Sequence, residues 1–280
     1  MTLIRRRSLE AETLRGRRTD SSRSTPAPHE PVTFSELDGV RYLHFGSEWV
    51  QGGMRLSKPD ALEIEYTQQM CAWLLFLTAS TPGFHVAQLG LGAGSLTKFC
   101  YRQLKTARVT AVEVNPAVVV AARCMFNLPD DDDRLTVVED SAWDWVNDPA
   151  QTGAVDALQV DLYDAAARGP VLDSTAFYRA CRRTLKSPGI MTVNLFGDHD
   201  SFAVNIRRIC DAFDNRVLVF PEVHDGNVVV VAFNGPLLDV DWQQVAARAQ
   251  VVQKATGVLA SAWPVLLRRA NVRQEQRLKI

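Results

Sequence analysis

Short apolar runs alternate with amphipathic segments along most of the chain. Seven runs have the length and composition of β-strands: His85–Leu89, Arg108–Val112, Leu135–Val138, Val155–Val160, Ile190–Leu195, Arg216–Phe220 and Val228–Phe233. The stretches between the first six have helical character, around 95–104, 116–126, 141–147, 174–186 and 201–213. Strands that alternate with helices predict a mostly parallel sheet covered by helices on both faces.

The seventh strand departs from this alternation. Only the segment from Pro221 to Asn227 separates it from the sixth strand, and a parallel crossover needs about a dozen residues. We therefore expect the last two strands to be antiparallel. The predicted fold class is α/β, with a mostly parallel seven-stranded sheet and an antiparallel last strand. This plan resembles the Rossmann-like fold of class I AdoMet-dependent methyltransferases.

The pattern also divides the chain into four regions. They are a disordered, Arg-rich tail at 1–30, a small β-rich region at 31–60, the α/β domain at 61–239, and a C-terminal helix with a basic tail at 240–280.

Three local predictions follow for the flanking regions. Residues 41–45 and 48–51 alternate like the two strands of a hairpin, which Gly52-Gly53 ends. Apolar residues near a 3.6-residue period predict a helix over 61–78. A further amphipathic helix begins at Trp242, and the basic end after it is expected to fray.

Composition and charge exclude several classes of protein. Hydrophobic residues make up 46% and charged residues 22%, as in ordinary globular proteins. With 31 Lys and Arg against 32 Asp and Glu, the chain has no overall basic field to attract nucleic acid. No apolar run reaches the 18 or so residues that span a bilayer, and the first residues do not resemble a secretory signal.

Cysteine and histidine usage argues against disulfides and metal. The 5 cysteines are widely spaced and contain no Cys-x-x-Cys pair, and the 5 histidines are scattered. We therefore expect a cytoplasmic protein with no metal site.

A glycine loop is the strongest local motif. The first predicted strand runs into Gly90, Gly92 and Gly94, and a helix follows. Glycines let the backbone turn tightly and approach a ligand, which the amides of the helix N-terminus then face. Dinucleotide-binding proteins have a glycine where Ser95 stands. The loop therefore favours an adenosyl-sulfonium ligand over a dinucleotide.

Polar residues follow the next two strands. Glu113 ends the second strand, where a carboxylate can accept hydrogen bonds from both ribose hydroxyls of an adenosine. Asp140 ends the third strand and precedes Ser141, and this pair can read the amino edge of adenine. An alternative role for Asp140 is the N-cap of the following helix. All three positions lie at carboxyl ends of parallel strands, where open α/β sheets bind ligands.

Two acids follow the fourth strand. Asp161 ends it and Asp164 comes three residues later, so both can face the pocket. Paired carboxylates attract a cationic amine, orient it and help to remove its proton. Because a typical Asp pKa of about 3.9 is far below that of an alkyl ammonium, Asp161 would assist proton loss as the new C–N bond forms. The alternative is a loop of solvated acids.

Together these motifs resemble the polyamine aminopropyltransferases, the spermidine synthase family, over residues 48–235. The matching motifs are Gln51, Tyr66–Met70, the glycine loop, Glu113-Val114-Asn115, Glu139-Asp140-Ser141, Val155-Asp156, Asp161–Asp164, Phe177-Tyr178 and Leu185–Gly189. Members move an aminopropyl group from decarboxylated AdoMet to a primary amine such as putrescine and release methylthioadenosine. They have a methyltransferase-like fold with a small β-rich N-terminal domain.

The resemblance assigns a role to each matching residue. Those implied to hold the nucleoside are Gln51, Gln68, Gly90, Gly92, Gly94, Glu113, Asp140 and Ser141. Asp161 is implied as the catalytic acid/base, and Asp164, Tyr66 and Thr67 as residues of the amine side. The co-substrate is then decarboxylated AdoMet, no metal is required, and a homodimer is expected by resemblance.

The chain departs from the family pattern mainly on the amine side. Ala93 stands where the family has an acid that holds the amino group of the donor, and Thr67 stands where a tyrosine is expected. Ala165 replaces the usual proline after the second acid, and Val223 lies near the place of a late acceptor-site tyrosine. The nucleoside positions match better, so the acceptor amine stays open.

Two other functions are consistent with these residues. One is an AdoMet-dependent methyltransferase: the absence of an acid at Ala93 favours it, and Gln88, where many methyltransferases have an acid, argues against it. The other is a nucleoside-binding protein that kept the fold without catalysis. The substituted amine positions favour that reading, and the retention of Asp161 and Asp164 opposes it.

Overall fold

The computed structural model describes residues 31–163, 170–223, 226–271 and 277–280. The predicted tail at 1–30, the predicted site residue Asp164 and its neighbour Ala165 therefore lie outside the described residues. Within these ranges no helix is both long enough and apolar enough to cross a membrane.

The N-terminal region forms a three-stranded antiparallel sheet of β1 (Val32–Leu37), β2 (Val40–Phe45) and β3 (Gly52–Arg55). The predicted antiparallel hairpin is confirmed as the pair of β2 and β3. Its details differ in two respects: the sheet has an additional strand, β1, and the strand after β2 lies at Gly52–Arg55 instead of 48–51. Gly52 begins β3 instead of ending the hairpin because this strand packs on the glycine loop. A Cβ atom at Gly52 would lie 2.8 Å from the Cβ of Ala93, and glycine in a strand permits such close approach.

The helix predicted over 61–78 is interrupted. The structure has a short helix α1 (Glu65–Gln69) and then one 3₁₀ turn (Ala72–Leu75). Between them, the carbonyl oxygen of Met70 accepts hydrogen bonds from Gln159 Nε2 at 3.0 Å and Thr192 Oγ1 at 2.9 Å. In a continuous helix that oxygen accepts the amide four residues later. Hydrogen bonds from the central sheet therefore override the helical periodicity.

The central sheet has seven strands. They are β4 (His85–Leu89), β5 (Arg108–Glu113), β6 (Leu135–Glu139), β7 (Val155–Val160), β8 (Leu185–Phe196), β9 (Val217–Val219) and β10 (Asn227–Asn234). Their order in the sheet is β6-β5-β4-β7-β8-β10-β9. Strands β4 to β8 are parallel to one another, and β10 is antiparallel to both β8 and β9. The predicted fold class and the antiparallel last pair are confirmed.

Helices connect the strands and cover both faces of the sheet. They are α2 (Ser95–Gln103), α3 (Pro116–Met125), α4 (Ala142–Asn147), α5 (Thr175–Thr184) and α6 (Phe202–Ala212). Successive side chains of a strand point to opposite faces. In β4, Val86 belongs to one buried apolar cluster, and Ala87 and Leu89 belong to another. The sheet therefore lies between two separate apolar layers.

The C-terminal region is more ordered than predicted. It contains β11 (Asp239–Asp241), α7 (Trp242–Thr256), α8 (Trp263–Ala270) and β12 (Arg277–Lys279). Strand β12 pairs with β11, and its Leu278 is fully buried in the core. The expected frayed end is therefore wrong for residues 277–280, because burial of Leu278 and Ile280 holds them against the domain.

The ends of β4 and β7 meet where the strand order reverses, which is where α/β sheets bind ligands. The amide of Asp161, just after β7, donates to the carbonyl of Leu89 at 2.9 Å. Gly90 comes next with φ at +92°, and a Cβ atom there would clash with the carbonyl oxygen of Asp161. Both the neighbouring strand and the backbone conformation therefore exclude a side chain at Gly90.

This contact predicts a larger loss of stability for Gly90→Ala than for Gly83→Ala. Gly83 precedes the same strand with φ at +75°, and a Cβ there would meet no atom within 4 Å. We expect Gly83→Ala to lower the free energy of unfolding by about 1 kcal/mol, from backbone strain alone. Gly90→Ala should cost more than about 3 kcal/mol, because it must also displace the end of β7. Urea unfolding measures both, and equal losses would contradict the steric argument.

A buried lysine connects α2 to the end of α3. Lys98 is fully buried, and its Nζ donates to the carbonyl of Phe126 at 2.6 Å. No acid among the described residues forms an ion pair with it. Burial lowers the pKa of Lys98 from 10.5 to about 8, against a smaller opposite effect of Asp60.

The lowered pKa of Lys98 predicts a dependence of stability on pH. Between about pH 8 and 10.5 the unfolded chain holds this proton and the folded protein releases it. Wild-type stability relative to Lys98→Met should therefore rise over this range, by up to about 3 kcal/mol. Urea unfolding at several pH values tests it, with exposed Lys105→Met as the control for loss of a lysine. A constant difference between wild type and Lys98→Met would contradict it.

Candidate active site

A cavity of about 810 Å³ opens at the carboxyl ends of β4, β5, β7 and β8 and is bounded on one side by β2 and β3. Nine residues predicted for binding or catalysis line it: Gln51, Tyr66, Thr67, Gly90, Gly92, Glu113, Asp140, Ser141 and Asp161. They come from segments spread over more than a hundred positions of the chain. The fold therefore brings most of the predicted site residues to one place.

Two predicted nucleoside residues do not line this cavity. The side-chain amide of Gln68 donates to the carbonyl of Leu62 at 3.1 Å and accepts the amide of Leu259 at 2.9 Å. This placement corrects the prediction for Gln68: its face of α1 turns away from the cavity toward the segment that joins α7 and α8. Gly94 is the N-cap of α2 with φ at +65°, beside Leu128, so its role is in the turn.

Glu113 is fixed at the end of β5 by backbone amides. Its Oε2 accepts the amide of Leu91 in the glycine loop at 3.0 Å, and its Oε1 accepts the amide of Asn115 at 2.9 Å. Burial raises the pKa of Glu113, and these backbone hydrogen bonds oppose the rise. Each carboxylate oxygen keeps a further lone pair, so the group can still accept from a ribose hydroxyl.

The roles of Asp140 and Ser141 in the structure differ from both sequence-based expectations, the joint reading of adenine and the N-cap role of Asp140. Ser141 is the N-cap of α4, since its Oγ accepts the amides of Trp143 and Asp144 at 3.2 and 3.4 Å. Asp140 is exposed, and its Oδ1 accepts the amide of Ser141 at 2.7 Å. The N-cap alternative for Asp140 is therefore wrong. The Ser141 amide is already used, so the acceptor available to a ligand here is the Asp140 carboxylate.

Asp161 is held by one hydrogen bond to each carboxylate oxygen. Tyr66 donates its hydroxyl to Oδ2 at 3.1 Å, and Asn194 donates its Nδ2 to Oδ1 at 2.9 Å. Burial raises the pKa of Asp161, and these two donors oppose the rise. Thr67, the neighbour of Tyr66, instead donates its hydroxyl to the carbonyl of Ile64 at the start of α1, at 2.6 Å.

Three polar residues around Asp161 were not predicted from the sequence. Asn194 accepts a hydrogen bond from Asn227 Nδ2 on its Oδ1 at 3.0 Å, and its carbonyl accepts the hydroxyl of Tyr163 at 3.0 Å. All three line the cavity. The available signal is the position of Asn194, the amide side chain near the carboxyl end of a mostly apolar strand.

Among the described residues, every charged side chain of the cavity wall is acidic. Six carboxylates line it, from Glu48, Glu113, Asp140, Asp161, Asp198 and Glu222. Among the described residues, no Lys, Arg or His lines it. Val223, near the place of the expected tyrosine, is buried outside the wall, whereas its neighbour Glu222 lies in it. The wall therefore favours cationic ligands.

Among the described residues, no group of three or more His, Cys, Asp or Glu side chains is arranged to hold a metal ion.

Solved structures with a similar fold include a probable spermidine synthase and a methyltransferase-like protein. A probable spermidine synthase from Corynebacterium glutamicum superposes with a TM-score of 0.65 at 16% identity, covering 84% of this chain and 95% of that one. Human methyltransferase-like protein 13, in complex with SAH, superposes with a TM-score of 0.60 at 18% identity, covering 69% and 93%. At such low identity these structures establish the fold alone.

Comparison with curated proteins identifies the family. No protein-family model matches the chain. The polyamine aminopropyltransferase of Neisseria meningitidis serogroup A is 32% identical over 227 residues, covering 81% of this chain and 85% of that enzyme. At this identity and coverage, the chain is a transferase that belongs to the polyamine aminopropyltransferase family, as its motifs predicted.

Proposed function

We propose that this enzyme transfers an aminopropyl group from decarboxylated AdoMet to a primary amine of the polyamine type. The observation that carries the proposal is the charge of the cavity: six carboxylates and, among the described residues, no basic side chain. Both substrates are cations, a sulfonium with an ammonium group and an alkyl ammonium. A wall of one negative sign attracts both and disfavours anionic ligands.

The nucleoside half of the donor fits the side of the cavity formed by the glycine loop. Gly90 and Gly92 leave room for close approach, Glu113 offers acceptors for ribose hydroxyls, and Asp140 offers one for the adenine amino group. Gln51 and Ser141 line the same cavity. The nucleoside would therefore lie between the glycine loop and the start of α4.

The charge also favours the decarboxylated donor over AdoMet itself. AdoMet carries an additional carboxylate, which would meet several acids in the cavity and no basic side chain among the described residues. Like charges at close range are destabilising in a partly desolvated site. The donor without this group avoids the repulsion and keeps its ammonium as a further attraction.

Asp161 is assigned the role of acid/base in the transfer. The amine nitrogen attacks the aminopropyl methylene carbon that is bonded to sulfur. A C–N bond forms, and the bond from that carbon to sulfur breaks with its electron pair going to sulfur. Methylthioadenosine leaves as a neutral thioether, and the proton lost by the amine nitrogen goes to Asp161. The protein mainly positions the amine in line with the C–S bond and accepts this proton.

The amine side of the site involves Tyr66 and Thr67, with Asp164 as a further ligand by resemblance. Tyr66 contacts Asp161 directly, and Thr67 lines the cavity. Glu222 adds a carboxylate to the wall beside Val223. A homodimer and a cytoplasmic location belong to the same proposal, and light scattering of the purified protein measures the first.

Incubation with equal AdoMet and decarboxylated AdoMet and a mixture of diamines and polyamines tests the reaction. We expect protein-dependent methylthioadenosine together with one aminopropylated amine, both followed by mass spectrometry. S-adenosylhomocysteine with a methylated product would make the protein a methyltransferase. Nucleoside binding without either product would contradict the proposed activity.

Asp161→Asn tests the acid/base role. The change keeps the size of the side chain and removes the proton acceptor, so kcat should fall by about 10²-fold or more. Binding of methylthioadenosine, measured by calorimetry, should change little, because Asp161 is not assigned to the nucleoside.

Asp156→Asn is the matched control for this variant. Asp156 lies at the opposite end of β7, where it accepts the amide of His85 and pairs with Lys186, both at 2.7 Å. We expect this variant to lose stability and to keep its kcat. Wild-type kcat in Asp161→Asn, or an equal loss in both variants, would count against the catalytic assignment.

A further inference from the structure

A chain of side-chain amides runs to Asp161 from the interior of the sheet. Asn227 Nδ2 donates to Asn194 Oδ1 at 3.0 Å, and Asn194 Nδ2 donates to Asp161 Oδ1 at 2.9 Å. We name these two asparagines the amide chain. We propose that the amide chain positions Asp161 and sets the orientation of its carboxylate, which rests on the proposed role of Asp161 in the transfer.

The three residues come from three neighbouring strands. Asn227 begins β10, Asn194 lies in β8, and Asp161 follows β7. In the antiparallel pairing Asn194 lies opposite Val229, so Asn227 is two positions further along the same face of the sheet. The amide chain therefore belongs to the rigid sheet and does not depend on a loop.

The direction of the amide chain is fixed by its first member. An amide side chain has a donor end and an acceptor end. Because Asn227 donates to the oxygen of Asn194, the NH₂ group of Asn194 must face Asp161. Asn194 and Asn227 are only 2% and 8% exposed although they line the cavity, so the hydrogen bonds of the amide chain have little contact with water while both side chains are in place. This orientation of Asn194 also suits Asp161, because an ionised carboxylate only accepts hydrogen bonds. Without Asn227 the oxygen of Asn194 loses its donor, and the Asn194 side chain is then held only by its hydrogen bond to Asp161.

The amide chain also favours the ionised form of Asp161. Burial raises the pKa of Asp161, and the hydrogen bond from Asn194 lowers it, followed by that from Tyr66. The other phenol near Asp161 belongs to Tyr163, which lies two residues further along the chain. The cavity carboxylates facing the same space are Glu48, Glu113, Asp140, Asp198 and Glu222. None of these titratable groups carries a positive charge. Among the described residues, the ionised form of Asp161 is therefore stabilised by the amide of Asn194 and the hydroxyl of Tyr66 and not by a cationic side chain.

The pH dependence of kcat/KM tests the amide chain. The acid limb reports the pKa of the essential base in the free enzyme. Asn194→Ala should move this limb upward by about one pH unit, with tenfold lower kcat/KM at each pH below it. Asn227→Ala should move it in the same direction by a smaller amount, although Asn227 does not touch Asp161.

A double variant separates positioning from other roles. If Asn227 acts only through Asn194, adding Asn227→Ala to Asn194→Ala should produce no further shift of the limb. An effect of Asn227→Ala on KM alone, or additive shifts in the double variant, would overturn the proposal. An acid limb that stays in place in both single variants would do so as well.

Asn234→Ala is the matched control on the same strand. Asn234 ends β10 at the opposite edge, where its Nδ2 donates to the carbonyls of Leu185 and Lys186 at 3.4 and 3.0 Å. We expect it to lower the melting temperature without moving the acid limb. A shift of the limb in this variant would mean that any weakening of β10 produces the effect.

Direct titration of Asp161 keeps the test independent of turnover. Carbon-13 NMR of the aspartate carboxyls in ligand-free protein, assigned with Asp161→Asn, gives its pKa in each folded variant. A raised pKa of Asp161 in Asn227→Ala supports the amide chain whether or not the protein is active. Failure to aminopropylate any amine would refute the proposed function and leave the amide chain standing. An unchanged pKa in that variant contradicts the amide chain whatever the activity. If Asn194→Ala does not fold, the pKa of Asp161 in Asn227→Ala is sufficient for this test.

Discussion

The close contact between Gly90 and the backbone of Asp161 is the constraint on which the rest of the site depends. The hydrogen bond from the Asp161 amide to Leu89 continues the pairing of β4 and β7 beyond the ends of both strands. A side chain at Gly90 would separate them. Because the two strands stay together at this point, the glycine loop and the Asp161 carboxylate face a common cavity, and the nucleoside and amine halves of the site adjoin.

Local pattern was sufficient to predict most of the architecture. The parallel strands are short apolar runs bounded by turns, and their helices have a clear amphipathic period, so both signals agree with the final fold. The carboxyl-end rule then placed Glu113, Asp140 and Asp161 together without knowledge of any distance. The three side chains line one cavity because parallel strands bring their carboxyl ends to the same edge of the sheet.

The remaining features depend on contacts between distant segments. The hydrogen bonds to Asp161 from Tyr66 and Asn194 join positions far apart in the sequence, and no periodicity indicates such partners. The position of Gln68 likewise depends on a distant segment, because its side chain accepts a hydrogen bond from the amide of Leu259 and lies outside the cavity. The N-terminal strand β3 was misplaced because glycine pairs usually end strands, whereas Gly52 here allows β3 to lie on Ala93.

The two hydrogen bonds to the carbonyl of Met70 have a consequence for how this protein tolerates mutation. They come from Gln159 and Thr192, in β7 and β8, and they fix the segment that begins with Tyr66. The acceptor is a backbone atom, so the attachment survives many replacements of the side chain at position 70. The position of the Tyr66 hydroxyl beside Asp161 thus depends on two polar residues of the sheet more than on the residues of α1 itself. Substitutions within α1 that spare Tyr66 and Thr67 should therefore be inherited more freely than substitutions at Gln159 and Thr192.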